Sequence, residues 1–185
     1  MIRYLCGAML ALASTVLQAQ AIDFNLGDKS MEFRYIVDSG SRLGGTELDA
    51  GMLYTSDNDL LAMAGMLVMG DTGSGTPGLH AGIGFKMFGI TSTPRDVAAL
   101  AVGGQLHLAP VSLPRSGFFI RGYYAPDIVT FLDADSMRYL AIGAEYEIVA
   151  KGSVYVGYRN TEASLSGTGR MKINDDIHVG MTMRF

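Results

Sequence analysis

Apolar and polar residues alternate with a period of two along most of the chain, which is the pattern of β-strands with two unlike faces. In residues 79–87 the odd positions are all apolar, and the even positions hold His80, Gly82, Gly84 and Lys86. The same alternation recurs in residues 47–54, 100–108, 140–148 and 154–161 and in the C-terminal residues 177–185, whereas residues 61–70 are apolar on both faces. The pattern predicts an all-β protein.

Clusters of Gly, Pro, Asp, Asn and Ser separate these segments and mark turns. Counting the segments between them gives ten predicted strands, at residues 22–26, 31–37, 46–54, 61–70, 79–88, 97–108, 117–124, 137–148, 153–162 and 175–185. Single-chain bacterial barrels have an even number of strands, so ten suits a closed antiparallel transmembrane β-barrel. The first two segments are short, and eight strands are therefore the rival count.

Two features of the segments favour a barrel in lipid over a soluble sheet. The apolar registers run for about nine residues, the length that a tilted strand needs to cross a bilayer, whereas soluble strands are usually about five or six residues long. The opposite register mixes charges with glycine, and mid-strand glycine makes sense where larger side chains must cross a narrow lumen. We therefore expect the apolar register to face lipid and the polar register to face the lumen.

The first 21 residues predict a cleaved secretory signal peptide, which leaves residues 22–185 as the barrel domain. Arg3 supplies the basic start, residues 4–17 are largely apolar, and Ala19-Gln20-Ala21 fits the small-x-small cleavage pattern. A membrane-anchor helix is the weaker alternative, because the apolar run is shorter than the ~20 residues that a spanning helix needs. The single cysteine, Cys6, leaves with this segment, so the mature chain has neither disulfides nor thiolate metal sites.

Composition excludes some classes of function. The chain has 185 residues with 18 Asp and Glu against 14 Lys and Arg, and this acidic balance argues against a nucleic-acid partner. Hydrophobic residues make up 49% and charged residues 17%, with 24 glycines. After the predicted signal peptide there is no further long apolar run, so the apolar character is spread over alternating strands.

Ionisable side chains on the polar register are the candidate lumen groups, and buried opposite charges there should pair. This predicted charge network consists of Glu47, Asp49, His80, Lys86, His107, Arg121, Glu145, Glu147, Arg159, His178 and Arg184. The histidines lack ligand-like spacing, so we expect neither a metal site nor a cofactor. No nucleophile, base and orienting group converge on one rim, and we expect no catalytic residues.

Several stretches resemble the YfaZ family of Gram-negative outer-membrane proteins. They are Gly82-Ile83-Gly84-Phe85-Lys86, Tyr123-Tyr124-Ala125-Pro126-Asp127, Val154-Tyr155-Val156-Gly157-Tyr158-Arg159, and the ending His178-Val179-Gly180 to Arg184-Phe185. The resemblance implies an outer-membrane barrel in a family described only loosely as porins, with no established activity. Phe185 at the end of an alternating strand looks like the signal read by the barrel-assembly machinery. The implied partners are that machinery, periplasmic chaperones and outer-membrane lipid.

These observations favour a small outer-membrane β-barrel that acts as a narrow porin or as a structural barrel. One alternative is a rim enzyme or lipid-modifying barrel, in which Ser164 or Ser166, or an Asp, would approach His80 or His178 at the outer rim. The other alternative is a soluble periplasmic β-barrel that binds a ligand. The apolar loop at residues 125–136 is predicted to fold over the barrel mouth or touch the headgroup region, and a ligand-binding lid is the less favoured interpretation.

Overall fold

The structure is a computed structural model that describes residues 20–38, 44–71, 77–92, 95–165 and 169–185. The predicted signal peptide lies outside the described residues apart from Gln20 and Ala21, and so does Ser166. Strand β1 begins at Gln20, and Ala21 pairs with Arg184 of the last strand. A cut after Ala21 would thus remove the first two residues of β1, and the cleavage site stays a prediction.

The described chain is almost entirely β-strand. The strands are β1 (Gln20–Gly27), β2 (Ser30–Asp38), β3 (Gly44–Thr55), β4 (Leu60–Asp71), β5 (Leu79–Thr91), β6 (Asp96–Leu108), β7 (Ser116–Ala125), β8 (Thr130–Leu132), β9 (Ala134–Val149), β10 (Gly152–Leu165) and β11 (Gly169–Arg184). A short 3-10 helix, Asp127–Val129, precedes β8. Within the described ranges, no helix is long and apolar enough to cross a membrane.

The sheet closes on itself because β1 pairs with β2 on one side and with β11 on the other, both antiparallel. All long strands pair with their neighbours in the order β1 to β7, β9, β10, β11, whereas β8 is a short strand that pairs only with the start of β6. The barrel wall therefore has ten strands, as predicted, and the rival count of eight is wrong. Strands β1 and β2 are full members of the wall, since each is paired on both sides.

The two registers face opposite sides of the wall, as predicted. On the apolar register, Ile83 is 75% exposed, Val102 is 62% exposed and Val179 is 60% exposed on the outer face. On the polar register, Lys86 is 2% exposed and Arg159 is 1% exposed. An outer surface of this apolar character is what lipid requires of a barrel, and it would be unusual on a soluble protein.

The even number of strands places both chain termini at one end of the barrel, which we term the terminal end; the opposite end is the distal end. Strands β9, β10 and β11 have 16, 14 and 16 residues and extend furthest at the distal end. In the predicted mouth loop, β8 continues the distal edge of β6. Ile128, Phe131 and Leu132 are exposed there, while Val129 packs against the lumen core.

Candidate functional site

The lumen holds a group of buried polar residues from β1, β2, β10 and β11, which we term the polar cluster. At its centre Arg159 forms an ion pair with Glu32, and its Nε donates a hydrogen bond to Asn174 Oδ1 at 2.7 Å. The guanidinium also donates to Asn25 Oδ1 at 3.3 Å and to Ser30 Oγ at 3.1 Å. One arginine thereby ties together groups on four strands, which is how a buried charge is normally accommodated.

A second set of bonds continues the polar cluster towards the terminal end. The Tyr155 hydroxyl donates to Asp23 Oδ1 at 2.8 Å, and Thr182 donates to Asp23 Oδ2 at 2.7 Å. Arg34 lies 3.8 Å from the same carboxylate, and Asn25 donates to the Tyr155 hydroxyl at 3.1 Å. The Asp23 carboxylate therefore has partners on β2, β10 and β11, and Arg34 compensates its charge.

A third charged contact lies on the opposite side of the lumen, where Lys86 of β5 reaches across to Asp49 of β3. Their Nζ and Oδ2 atoms are 2.7 Å apart, and both side chains are almost fully buried. The Lys86 ammonium also lies 5.1 Å from the centroid of the Tyr123 ring, within cation–π distance. This lysine is held between a carboxylate and an aromatic face.

Two glycines show why small residues occupy the polar register. A Cβ at Gly65 would lie 2.7 Å from Asp49 Oδ1 and 2.8 Å from Lys86 Cε. Strand β4 therefore needs a residue without a side chain where this ion pair passes. A Cβ at Gly180 would lie 2.5 Å from the Tyr155 ring. The glycines therefore provide the space that the larger polar side chains use to cross the lumen, as predicted from the sequence.

The distal half of the lumen on the side of β3 to β7 and β9 is filled by apolar side chains, a feature that the sequence did not lead us to expect. We term this group the apolar cluster; it comes mainly from β3 to β7 and β9. Its larger members are Leu53, Leu61, Met63, Leu67, Phe88, Ile90, Val97, Tyr123, Met137, Tyr139 and Ile173. Aromatic contacts cross the lumen within it, with the Phe88 and Tyr139 rings 5.8 Å apart.

At the terminal end the lumen opens into a cavity of about 610 Å³, which we term the vestibule. His107 Nε2 and Glu145 Oε1 are 2.9 Å apart on its wall, and the His80 ring stacks near His107 with centroids 6.4 Å apart. On the same wall Gln105 donates to Glu47 Oε2 at 3.2 Å. Mixed charges therefore line an opening that faces away from the apolar cluster.

The predicted lumen residues are divided between these regions. Asp49, Lys86, Arg159 and His178 are buried deep in the lumen, and Glu47, His80, His107, Arg121, Glu145 and Arg184 line the vestibule. Glu147 is half-buried near the terminal end. Among described residues, no ion pair is formed by the side chains of Glu47, His80, Arg121, Glu147, His178 and Arg184.

The β1 and β2 residues of the polar cluster were missed by sequence reasoning. Asp23, Asn25, Glu32 and Arg34 all face the lumen and are at most 3% exposed. A signal was present, because Met31, Phe33 and Tyr35 alternate with Ser30, Glu32 and Arg34 in the sequence. The alternation predicts strands in these segments, but the predicted charge network does not include their polar positions.

The positions of the histidines bear on the rim-enzyme alternative. His80 and His107 are paired across β5 and β6 at the terminal end, and His178 is buried in the middle of β11. None of the three lies at the distal rim, where Ser164 is the penultimate residue of the long strand β10. In the described part of the chain, no group of three or more potential ligands is placed to hold a metal ion.

Beyond the apolar surface, the distal ends of β9, β10 and β11 carry a polar patch on their outer face. Arg138 and Glu162 are 2.8 Å apart, and so are Lys172 and Asp175. The hydrogen bond from Arg138 holds the pKa of Glu162 below its ordinary value. The hydrogen bonds from Lys172 and then Tyr158 lower the pKa of Asp175 to about 2. Both pairs are ionised at neutral pH and mark the distal edge of the apolar wall, and Glu162 itself is buried there.

A closed antiparallel wall, an apolar outer face and a lumen filled by its own side chains define a small β-barrel of the transmembrane type. The chain belongs to the YfaZ precursor family, which matches residues 1–185. The family resemblance inferred from the sequence is thereby confirmed.

No curated protein matches the chain significantly. Among solved structures, it is similar to a de novo designed transmembrane β-barrel, with 10% identity and a TM-score of 0.37 over 90% of this chain and 95% of that one. The outer membrane channel DcaP of Acinetobacter baumannii gives 10% identity and a TM-score of 0.45 over 88% of this chain and 54% of that one. The CymD monoaromatic hydrocarbon channel gives 10% identity and a TM-score of 0.31 over 97% and 70%.

Proposed function

We propose that this protein is an outer-membrane β-barrel whose lumen is shut to bulk solutes in the conformation described, so that it acts as a structural barrel rather than as an open porin. The observation that carries the proposal is the burial of the charged groups deep in the lumen. Arg159 is 1% exposed, Lys86 is 2% exposed and Glu32 is 3% exposed. A water-filled channel would leave such groups hydrated.

The contacts that close the lumen run between strands that are not neighbours in the wall. Arg159 of β10 binds Glu32 of β2, and Phe119 of β7 packs edge-on against Tyr155 of β10 at 5.7 Å. Beyond them the apolar cluster fills the distal half. Small barrels are generally filled by side chains in this way, and wide aqueous channels appear only at about 16 to 18 strands.

Planar-bilayer recording on the refolded full-length mature protein tests the proposal. We expect no steady conductance from the wild type at neutral pH. The double variant Lys86→Ala/Asp49→Ala removes one lumen ion pair as a unit and should produce brief small openings, since both side chains leave the lumen. Steady conductance from the wild type would contradict the proposal and restore the narrow-porin alternative.

Location and assembly belong to the same proposal. The exposed apolar wall supports insertion in the outer membrane with lipid as the partner, after export through the predicted signal peptide and delivery by periplasmic chaperones. Phe185 is 61% exposed beyond the end of β11, at the mouth of the vestibule. It is accessible to the barrel-assembly machinery as an assembly signal.

Membrane fractionation with heat-modifiable gel migration tests this part. We expect wild-type protein in the outer-membrane fraction, migrating as a folded barrel unless it is boiled. Phe185→Ala should reduce the folded fraction in cells but leave refolding in detergent unchanged. Recovery of the wild type in the soluble periplasmic fraction would support the ligand-binding soluble barrel instead.

A further inference from the structure

The vestibule has the size and shape of a small-molecule site. Its volume of about 610 Å³ lies within the usual range for ligand pockets. It opens at the terminal end, and the buried groups of the polar cluster form its floor, with Arg34 and Thr182 belonging to both. A solute that enters from the terminal end therefore meets a cavity with a polar floor.

The carboxylates of the vestibule already have partners. Glu145 is held by His107 at 2.9 Å, and Glu47 accepts a hydrogen bond from Gln105 at 3.2 Å. Asp38 and Asp71 also interact with neighbouring groups. The acidic side chains that line this cavity are thus engaged by the protein itself.

Arg121 differs from them, because no carboxylate in the described ranges lies within ion-pair distance of its guanidinium. The segments outside those ranges contain no Asp or Glu that could supply one. Its hydrogen bond to the protein is made by Nε, which donates to Gln105 Oε1 at 3.2 Å. Within the described ranges the two terminal nitrogens have no acceptor, so they remain for a ligand.

The guanidinium of Arg121 is also held in place. Its carbon lies 4.7 Å from the centroid of the Phe119 ring, and Gln105, which accepts from Nε, is itself bonded to Glu47. A planar fork fixed in this way loses little side-chain entropy when it binds a carboxylate or a phosphate in bidentate fashion. Arg184 and Lys151, both exposed at the mouth of the vestibule, add positive charge along the way in.

We propose that the vestibule binds a small solute bearing a carboxylate or phosphate group, which enters from the terminal end and is held by Arg121. The ligand class follows from the unpaired guanidinium, and the size limit follows from the cavity. Bacterial barrels have their short turns at the periplasmic end, and the turn between β9 and β10 at the terminal end is short, so we expect this end to face the periplasm. Binding at the vestibule does not require the lumen to conduct, so the two proposals can fail independently.

Isothermal titration calorimetry on the refolded mature protein in maltoside micelles, at constant ionic strength, tests the site. The probes are inorganic phosphate and succinate, titrated separately so that the two anion chemistries are distinguished. We expect millimolar or tighter binding of at least one probe, and Arg121→Gln should weaken it about tenfold or more. Arg121→Lys should retain part of the affinity, since it keeps the charge but loses the fork.

The matched control is Arg170→Gln, which removes an exposed arginine from the distal hairpin. It should bind the probe as the wild type does, and heat-modifiable migration shows whether each variant is folded. If Arg121→Gln does not fold, the comparison between Arg121→Lys and the wild type decides. The proposal is overturned if neither probe binds, if the folded Arg121 variants bind as tightly as the wild type, or if the Arg170 control loses as much affinity.

Discussion

The two sides of the lumen are stabilised by different kinds of interaction, although one wall encloses both. The polar cluster on β1, β2, β10 and β11 is held by directed bonds, as in the four acceptors arranged around Arg159. The apolar cluster on β3 to β7 and β9 is held by close packing of side chains such as Leu67 and Phe88. The outer face is apolar on both sides. The apolar outer surface of the wall therefore depends on the outward-facing residues. The inward-facing residues are held by hydrogen bonds and ion pairs on one side of the lumen and by apolar packing on the other.

The comparison predicts that the two sides respond differently to the loss of one side chain, and the largest effect should come from the polar cluster. Arg159→Met leaves Glu32 buried without its cation, which should lower the free energy of unfolding by about 3–5 kcal/mol. Urea unfolding of the refolded barrel in detergent measures the change. Because the double variant Glu32→Gln/Arg159→Met leaves no unpaired charge, it should recover a large part of the loss.

If the double variant is as unstable as Arg159→Met alone, the unpaired carboxylate is not the reason for the loss. The polar cluster would then be stabilised by packing, and the contrast between the two sides would disappear.

A smaller effect is expected in the apolar cluster, where Leu67→Ala removes most of a buried side chain and leaves a cavity. Core substitutions of this kind cost about 2–5 kcal/mol. No partner substitution should rescue it except one that fills the volume. The matched control is Val68→Ala on the same strand, because Val68 faces outward and is 56% exposed.

Lipid or detergent fills the space that the shortened side chain at position 68 leaves, so its urea midpoint should move by much less. Equal shifts in the two variants would mean that Leu67 does not belong to a packed interior. The distal half of the lumen would then be hydrated, against the account given above.

The strands and their facing could be predicted from sequence because both depend on local alternation. All ten wall strands were found, and the glycines of the polar register do provide space, as Gly65 does beside Asp49 and Lys86. The sequence pattern of segment 61–70, which is apolar on both faces, does not indicate which residues face the lumen, and the reason is physical. Its inward residues Leu61 and Leu67 pack inside the barrel while Val68 faces outward, so alternation of polarity is absent where both environments are apolar.

The pairing inside the lumen could not be predicted in the same way. Arg159 and Glu32 are 127 residues apart, and they meet only because β11 and β1 close the sheet with a particular register. The apolar cluster has the same origin, since its side chains come from eight strands, β3 to β7 and β9 to β11. Local patterns fix which face a residue occupies, and the register of the closed barrel fixes its partners.

The central claim is that the apolar register faces hydrocarbon and the polar register faces an enclosed lumen. The mature chain is predicted to lack cysteine, so single-cysteine variants at Val179 and Glu47 can be spin-labelled without background. In liposomes, paramagnetic resonance should show that the label at position 179 is accessible to oxygen and protected from a water-soluble nickel chelate, with the reverse at position 47. A label at position 179 that is open to nickel and closed to oxygen would contradict the account.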